Sequence, residues 1–154
     1  YIQRIAQLTN KSNQFNLTTL RCSEDEIRAM AENPDWLCLY GKLADKFGDN
    51  GVVTVVAGEQ QGETLHLRLW LMSCRVLKRG MEDAMMDCLV RDALARGVRQ
   101  IIGYYYPTAK NGMVRDFYAG MGFAQASTDA DGSTTWTLDA AAYQPKQPPM
   151  TIER

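Results

Sequence analysis

The sequence predicts a single α/β (α+β) domain in which one mixed central sheet carries helices on both faces. Two observations lead to this class. Apolar and β-branched runs bounded by turn residues, which are typical of strands, alternate with stretches whose apolar residues recur at helical spacing. Hairpin signals come early in the chain and crossover-length helices come later, so antiparallel and parallel strand pairs are both expected.

The amino-terminal part begins with a polar, amide-rich stretch over 1–16, which predicts a helix end followed by an irregular loop. Residues 17–22 are of β-branched and apolar types and predict a short strand. Ser23, followed three residues later by Glu26, forms a capping box, which predicts a helix over 24–32.

Three strands are predicted next, at 36–46, 52–57 and 64–73. A turn at 47–51 joins the first two, because its Asn-Gly pair favours a hairpin. The third run alternates apolar and polar residues, with leucines at 65, 67, 69 and 71, and predicts a strand of period two.

Helical spacing of apolar residues then predicts a helix from Met81 to the capping Gly97 and another over 111–121. A strand is predicted between them at 98–106. The last predicted elements are a hairpin of strands at 123–128 and 134–138, and a proline-containing tail or linker at 141–154. Residues 1–140 are therefore expected to form the domain, and 154 residues fit about one domain.

The composition excludes several classes of protein. Hydrophobic residues make up 45% and charged residues 23% of the chain, as in soluble globular proteins. The net charge of −1 predicts no global attraction to nucleic acid or to an anionic membrane. No apolar run of about 18 residues and no signal-like leader are visible, so we expect a cytoplasmic protein without a membrane span.

The cysteines and the single histidine predict no metal site. No two of the four cysteines form a C-x-x-C pair, and reduced thiols are expected in a cytosolic protein. Cys22, Cys38 and Cys88 lie in predicted strands or on an apolar helical face and are interpreted as core residues. His66 is interpreted as a solvated or stacked structural histidine.

The junction between the third strand and the following helix is the most informative segment for function. A helix N-terminus presents unpaired amides and about half a positive charge. Arg75, Lys78 and Arg79 add three cations. This combination predicts a site for an anion such as a pyrophosphate or a carboxylate, although a solvated basic turn explains the same residues.

This junction resembles the R/Q-x-x-G-x-G/A loop of the GNAT acyltransferases, which wraps the pyrophosphate of acyl-CoA with backbone amides. Lys78 stands where that family has its first glycine, and its side chain narrows the approach of a phosphate. The resemblance implies a cofactor-binding role for six residues of the junction: Arg75, Val76, Lys78, Arg79, Gly80 and Met81.

A second segment resembles the GNAT pattern N-x6-Y-x3-G-F, with Asn111, Tyr118, Gly122 and Phe123 at the defined positions. The resemblance implies that Asn111 contributes to cofactor binding and that Tyr118 protonates the departing thiolate. A core aromatic on an amphipathic helix also explains Tyr118.

Longer motifs in the same order resemble the carboxyl-terminal region of FkbH-like proteins. In that family a haloacid-dehalogenase-like domain precedes a GNAT-like domain, and a glyceryl unit passes from a phosphorylated glycerate to an acyl carrier protein for polyketide assembly. None of the motifs here corresponds to the phosphatase-like domain, so phosphate removal is not expected of this chain. The motifs are AQLTNKSNQFNLTT at 6–19, FGDNG at 47–51, MSCRVL at 72–77 with GME at 80–82, and PTAKN at 107–111.

The resemblance implies three associated groups. They are an acyl carrier protein as partner, a haloacid-dehalogenase-like domain in the parent chain, and a thioester of phosphopantetheine on the carrier, or acyl-CoA, as cofactor. Cys74 is the candidate for an enzyme-bound glyceryl thioester, because the neighbouring Arg75 and a helix start both lower a thiol pKa. A small buried residue at a strand end is the other interpretation of Cys74.

Polar side chains outside the junction are candidates for substrate contacts. Asn13, Gln14 and Asn16 offer amide groups to a glyceryl hydroxyl, and Lys110 follows a strand end where it would meet an acidic carrier. A structural loop network and a solvated lysine explain the same residues. The general base stays open among Glu63, Glu82, Asp116 and a water held by backbone.

Three functions remain open at this point. A glyceryl transferase domain with a covalent relay needs Cys74. A free-standing N-acetyltransferase that uses acetyl-CoA needs Tyr118 and an open phosphate loop, but not Cys74. A docking module that only holds the carrier protein tolerates the loss of both residues.

Overall fold

The computed structural model describes residues 2–11, 15–18, 21–45, 48–73 and 81–145. The described part of the chain also contains 3₁₀ helices at Gly112–Val114 and Ala140–Ala142. The helices and strands follow the order α1 (Ile2–Lys11), α2 (Glu24–Glu32), β1 (Trp36–Asp45), β2 (Gly48–Gln61), β3 (Thr64–Met72), α3 (Met81–Ala95), β4 (Gln100–Tyr105), α4 (Phe117–Gly120), β5 (Ala124–Thr128) and β6 (Thr134–Asp139).

The described strands form one six-stranded sheet in the order β1-β2-β3-β4-β6-β5. β3 and β4 pair in parallel, whereas the other neighbouring pairs of the described sheet are antiparallel. The chain passes from β3 to β4 through α3, because a parallel pair needs a crossover connection. The predicted class of a mixed sheet with helices on both faces is confirmed.

A β-bulge at Arg68 divides the side chains of β3 between the two faces. Leu67 pairs with Gly58 and Leu69 with Ala57, so Arg68 is an extra residue on its strand. Beyond the bulge, Leu69 and Leu71 pack with α1 and α2, whereas Leu65 and Leu67 pack with α3 on the opposite face. The predicted uninterrupted period of two is therefore wrong at Arg68.

The predicted hairpin turn at 47–51 is also wrong in position. β1 and β2 stay paired as far as Asp45 and Gly48, and the Asn-Gly pair lies inside β2. The register of this pair shifts between Gly41 and Lys42 and again between Lys42 and Ala44.

Three smaller expectations are also corrected. α1 is a full helix of ten residues, where the sequence predicted a helix end. The helix predicted over 111–121 is a 3₁₀ turn followed by the short α4, because Gly112 and Gly120 have low helix propensity. Cys38, predicted to be buried, is exposed on the edge strand β1.

One residue of the predicted tail, Tyr143, contacts the core of the domain. Tyr143 packs against the core on the α3 face, and its hydroxyl donates to Asp87 Oδ1 at 2.6 Å. No helix among the described residues is long and apolar enough to cross a membrane.

The capping box of α2 provides the first test of the fold. Ser23 Oγ accepts from the Glu26 amide at 3.2 Å, and the Ser23 amide donates to Glu26 Oε1 at 3.1 Å. We expect Ser23→Ala to lower the free energy of unfolding by about 1 kcal/mol, measured by urea denaturation, because an N-terminal amide loses its acceptor. Ser23→Asp is the matched control and should retain most of the stability; equal losses in both variants would contradict a capping role.

Candidate functional site

The sheet opens between its parallel strands. β3 and β4 pair only from Thr64 and Gln100 to Leu67 and Gly103. Past those positions β3 hydrogen-bonds to residues 15–18, and Tyr106, the residue after β4, bonds to them from the other side. In an open sheet, the crevice at the carboxyl ends of parallel strands is where ligands bind, so this end is the candidate site.

Residues 15–18, which we call the inserted segment, lie between the separated strands. The Leu17 amide donates to the Trp70 carbonyl at 3.1 Å, and the Met72 amide donates to the Phe15 carbonyl at 3.1 Å. On the other side, the Tyr106 amide donates to the Leu17 carbonyl at 2.8 Å. The strand predicted at 17–22 is wrong for its described residues, which form no regular strand; the segment makes an isolated bridge between Asn16 and Leu71, and residues 19–20 lie outside the described residues.

The side chains of the inserted segment belong to the core. Phe15 is 4% exposed and Leu17 is fully buried. The Phe15 ring packs edge-on against Phe117 with centroids 5.0 Å apart. Thr18 Oγ1 donates to the Arg68 carbonyl at 2.7 Å, which attaches the segment to the bulge of β3.

Asn111, predicted to bind a cofactor, is buried and bonded to its own chain. Its Nδ2 donates to the Asn16 carbonyl at 3.0 Å and to the Tyr106 carbonyl at 2.9 Å. Its Oδ1 accepts from the Thr108 amide at 2.7 Å and from the Tyr105 hydroxyl at 3.3 Å. These bonds join the inserted segment to the loop after β4.

Tyr118 lies in the core at the base of the opening. Its ring contacts Gly103, where an added Cβ would meet Tyr118 Cζ at 2.5 Å. The ring also packs against Trp70, with centroids 6.2 Å apart. The Tyr118 hydroxyl and Trp70 Nε1 are both buried without a hydrogen-bond partner among the described residues.

Burial raises the pKa of Tyr118 well above the ordinary value of a phenol. The hydroxyl is protonated at neutral pH, as an ordinary phenol is, and the raised pKa makes it a weaker proton donor. The rings of Trp70, Phe117 and Phe123 surround it.

The remaining predicted site residues are distributed as follows. Met81 is the buried first residue of α3, Asn16 is buried and bridges to Leu71, and Lys110 is exposed. Ser73, whose amide donates to the Val53 carbonyl at 2.7 Å, immediately precedes Cys74 in the chain. The other predicted site residues lie outside the described residues: Asn13, Gln14, Cys74, Arg75, Val76, Lys78, Arg79 and Gly80.

The first turn of α3 carries Glu82 and Asp83. Carboxylates at a helix N-terminus offset the positive end of the dipole, so this terminus attracts an anion less than its amides alone would. An anion site at the junction would therefore depend on the basic residues Arg75, Lys78 and Arg79, which lie outside the described residues.

His66 is confirmed as a stacked structural histidine. Its ring stacks on Tyr104 with centroids 6.0 Å apart, and Nδ1 is 2.7 Å from the Tyr104 hydroxyl. Burial and the neighbouring Arg68 lower the pKa of His66, while Glu59 raises it. Among the described residues, no cluster of three or more His, Cys, Asp or Glu side chains is suited to a metal ion.

Sequence reasoning missed two features of this site, the inserted segment and Trp70. The signal for the segment was the pair Phe15 and Leu17, which are apolar residues at period two inside an otherwise polar, amide-rich stretch. Trp70 carried no signal of its own, because its face depends on the bulge at Arg68.

The structure has the GNAT fold. It is similar to the ribosomal-protein-S18-alanine N-acetyltransferase of Escherichia coli, at 13% identity and TM-score 0.66 over 94% of this chain and 91% of that one. It is also similar to Rv2747 of Mycobacterium tuberculosis, solved with CoA, at 14% identity and TM-score 0.67 over 90% and 93%. A third match is the GNAT domain of S. lividans PAT, at 18% identity and TM-score 0.61 over 77% and 70%.

No protein-family model matches the sequence, and no curated protein is significantly similar to it. The likeness to solved structures establishes the fold.

Proposed function

We propose that this domain transfers an acyl group between thioesters, as the GNAT-like part of an FkbH-like glyceryl transferase. The observation that supports the proposal most is the opening of the sheet at the carboxyl ends of β3 and β4. β3 ends at Met72 at that end, and Ser73 then precedes Cys74 in the chain, so the proposal requires the Cys74 thiol to meet the thioester at this end of the sheet.

The proposed chemistry has two steps at one sulfur. The Cys74 thiolate attacks the carbonyl carbon of a glyceryl thioester, a new carbon–sulfur bond forms, and the donor thiolate leaves and takes up a proton. The thiol of a carrier protein's phosphopantetheine arm then loses its proton, attacks the same carbonyl and releases Cys74. In this proposal the exposed Lys110 contacts an acidic surface of the carrier protein.

The other thiols are poorer candidates for this relay. Cys22 is 2% exposed, and burial, with a smaller contribution from Glu26, raises its pKa to about 11. It is therefore a neutral thiol at neutral pH. Cys38 is exposed but lies on the edge strand β1, on the far side of β2 from the opening.

The first test is intact-protein mass spectrometry after mixing the chain with a glyceryl thioester. We expect a mass gain of one glyceryl group that hydroxylamine removes and that Cys74→Ser abolishes. Cys38→Ser is the matched control, because it removes an exposed thiol and should leave the adduct. An adduct that persists in Cys74→Ser, or no adduct on the unaltered chain, would contradict the relay.

N-acetyl transfer from acetyl-CoA is the second candidate, and the position of Tyr118 against Gly103, where β3 and β4 separate, supports it. That reaction uses Tyr118 as the acid for the departing thiolate and does not need Cys74. Acetylation of an amine acceptor that survives Cys74→Ser and is lost in Tyr118→Phe would establish it. A docking module would bind carrier protein and be unaffected by either substitution.

A further inference from the structure

The route from the rim of the opening to Tyr118 passes along the inner edge of β3. Tyr118 contacts Gly103, which pairs with Leu67 at the last position where the two strands are joined. An extended arm that enters at the carboxyl end of β3 and reaches Tyr118 must therefore lie beside residues 68–72. An arm that carries amides would pair with the backbone groups of this edge, as an added strand does.

The inserted segment already occupies that edge. The Met72 amide and the carbonyls of Trp70 and Arg68 are bonded to residues 15, 17 and 18. On the other side of the opening, the amide of Tyr106, the residue after β4, donates to the Leu17 carbonyl. These backbone groups are thus satisfied by the chain itself, and the space that an arm would fill holds backbone.

Displacing the segment would undo much of the local core. The buried side chains of Phe15 and Leu17 would become exposed, and the Phe15 contact with Phe117 would be lost. The amides and carbonyls on both edges would lose their partners in a buried setting, which is costly unless the incoming group replaces every bond. Asn111 Nδ2 would lose its acceptor on Asn16.

We propose that the inserted segment permanently closes the opening between β3 and β4, so that an extended CoA-type arm is excluded from it. Asn111 is the positioning residue that fixes the segment, through its bond to the Asn16 carbonyl. The residues along this edge therefore do not fit the arm of CoA, and a thioester meets this domain at the rim of the sheet. This inference does not depend on Cys74, so a failed relay leaves it intact.

Backbone amide exchange, followed by NMR on the whole chain with and without millimolar CoA, tests the proposal. We expect the amides of Leu17, Met72 and Tyr106 to exchange slowly and to keep their rates when CoA is added. CoA that binds elsewhere, without changing these rates, still agrees with exclusion. Faster exchange at Leu17 and Tyr106 on adding CoA would show that CoA displaces the inserted segment. Unprotected amides in the free protein would show that the segment does not close the opening. Either result overturns the proposal.

Asn111→Asp tests the positioning role, because it keeps an acceptor for the Thr108 amide but removes the donor to Asn16 and Tyr106. We expect exchange at Leu17 and Tyr106 to accelerate by about tenfold or more, with the amides of β1 and β2 little changed. Lys110→Ala, an exposed neighbour, is the control and should change neither. Exchange that rises equally across the whole sheet, or does not rise at all, would show that Asn111 does not position the inserted segment. If the variant fails to fold, the exchange rates of the unaltered protein with and without CoA still test whether the segment closes the opening.

Discussion

Gly103→Ala is expected to destabilise the domain by about 3 kcal/mol, at the upper end of the range for overpacking a core. A Cβ at this position would meet Tyr118 Cζ at 2.5 Å and the two Cε atoms at 2.7 Å. The ring has little room to retreat, because Trp70 and Phe123 pack against it. Urea denaturation followed by circular dichroism measures the loss.

Gly112→Ala is the matched control for this substitution. A Cβ at Gly112 meets no heavy atom of the described residues within 4 Å, and Gly112 lies on the surface in a 3₁₀ turn. Its stability should stay the same or rise slightly, since alanine loses less conformational freedom on folding than glycine. A Gly103→Ala protein as stable as Gly112→Ala would show that Tyr118 does not press on β4 at this point.

The parts of the fold that sequence predicted correctly depend on neighbouring residues. The capping box of Ser23 and Glu26 places the start of α2, because both of its hydrogen bonds span three residues. The hairpin between β5 and β6 was likewise predicted from a local turn, which contains Gly132 at φ 91°. Local hydrogen bonds and turn conformations are properties that a short stretch of sequence carries by itself.

The parts that sequence missed depend on pairing between distant segments. The bulge at Arg68 exists because β3 must pair with β2 while it presents Leu67 and Trp70 to one core. The inserted segment finds its partners more than fifty residues away, on Trp70 and Met72. No pattern of neighbouring residues indicates either pairing. The sequence therefore predicted a strand near residue 17, but not the opening between β3 and β4 that this segment fills.

The candidate site divides in the same way. The motif around Asn111 and Tyr118 was visible in the sequence, and the resemblance implies that Asn111 binds a cofactor and that Tyr118 donates a proton. The contacts that the structure shows for both residues are with other parts of this chain. Asn111 binds the carbonyls of its own chain, and Tyr118 is enclosed by aromatic rings. A motif shows which residue types lie at which spacing. The burial of those residues and their hydrogen-bond partners depend on segments that are distant in the sequence and pack against them in the fold.

Tyr118→Phe is expected to stabilise the domain by about 1 kcal/mol at neutral pH. The hydroxyl is buried without a partner among the described residues, and an unsatisfied buried polar group carries a desolvation cost that phenylalanine avoids. The ring and its contacts with Trp70 and Phe123 are retained. A loss of stability would show instead that the hydroxyl has a partner.

The same substitution should change the dependence of stability on alkaline pH. Burial raises the pKa of Tyr118 in the folded state, so its contribution is fully present below the unfolded pKa of about 10 and is lost as the pH rises above it. Phenylalanine does not ionise. The advantage of Tyr118→Phe, measured as the difference in urea midpoint from the unaltered protein, should therefore grow above about pH 10. Tyr105 and Tyr143, whose pKa values burial also raises, are present in both proteins and cancel from that difference.

The stability of Tyr118→Phe also bears on which reaction the domain performs. If the variant is more stable and still forms the Cys74 adduct, the hydroxyl takes no part in the acyl relay. If the variant is more stable but loses acetylation of an amine, the hydroxyl is kept at a cost in stability because it donates a proton during turnover. The second result would require the opening between β3 and β4 to admit a thioester, and would therefore contradict the closure by residues 15–18.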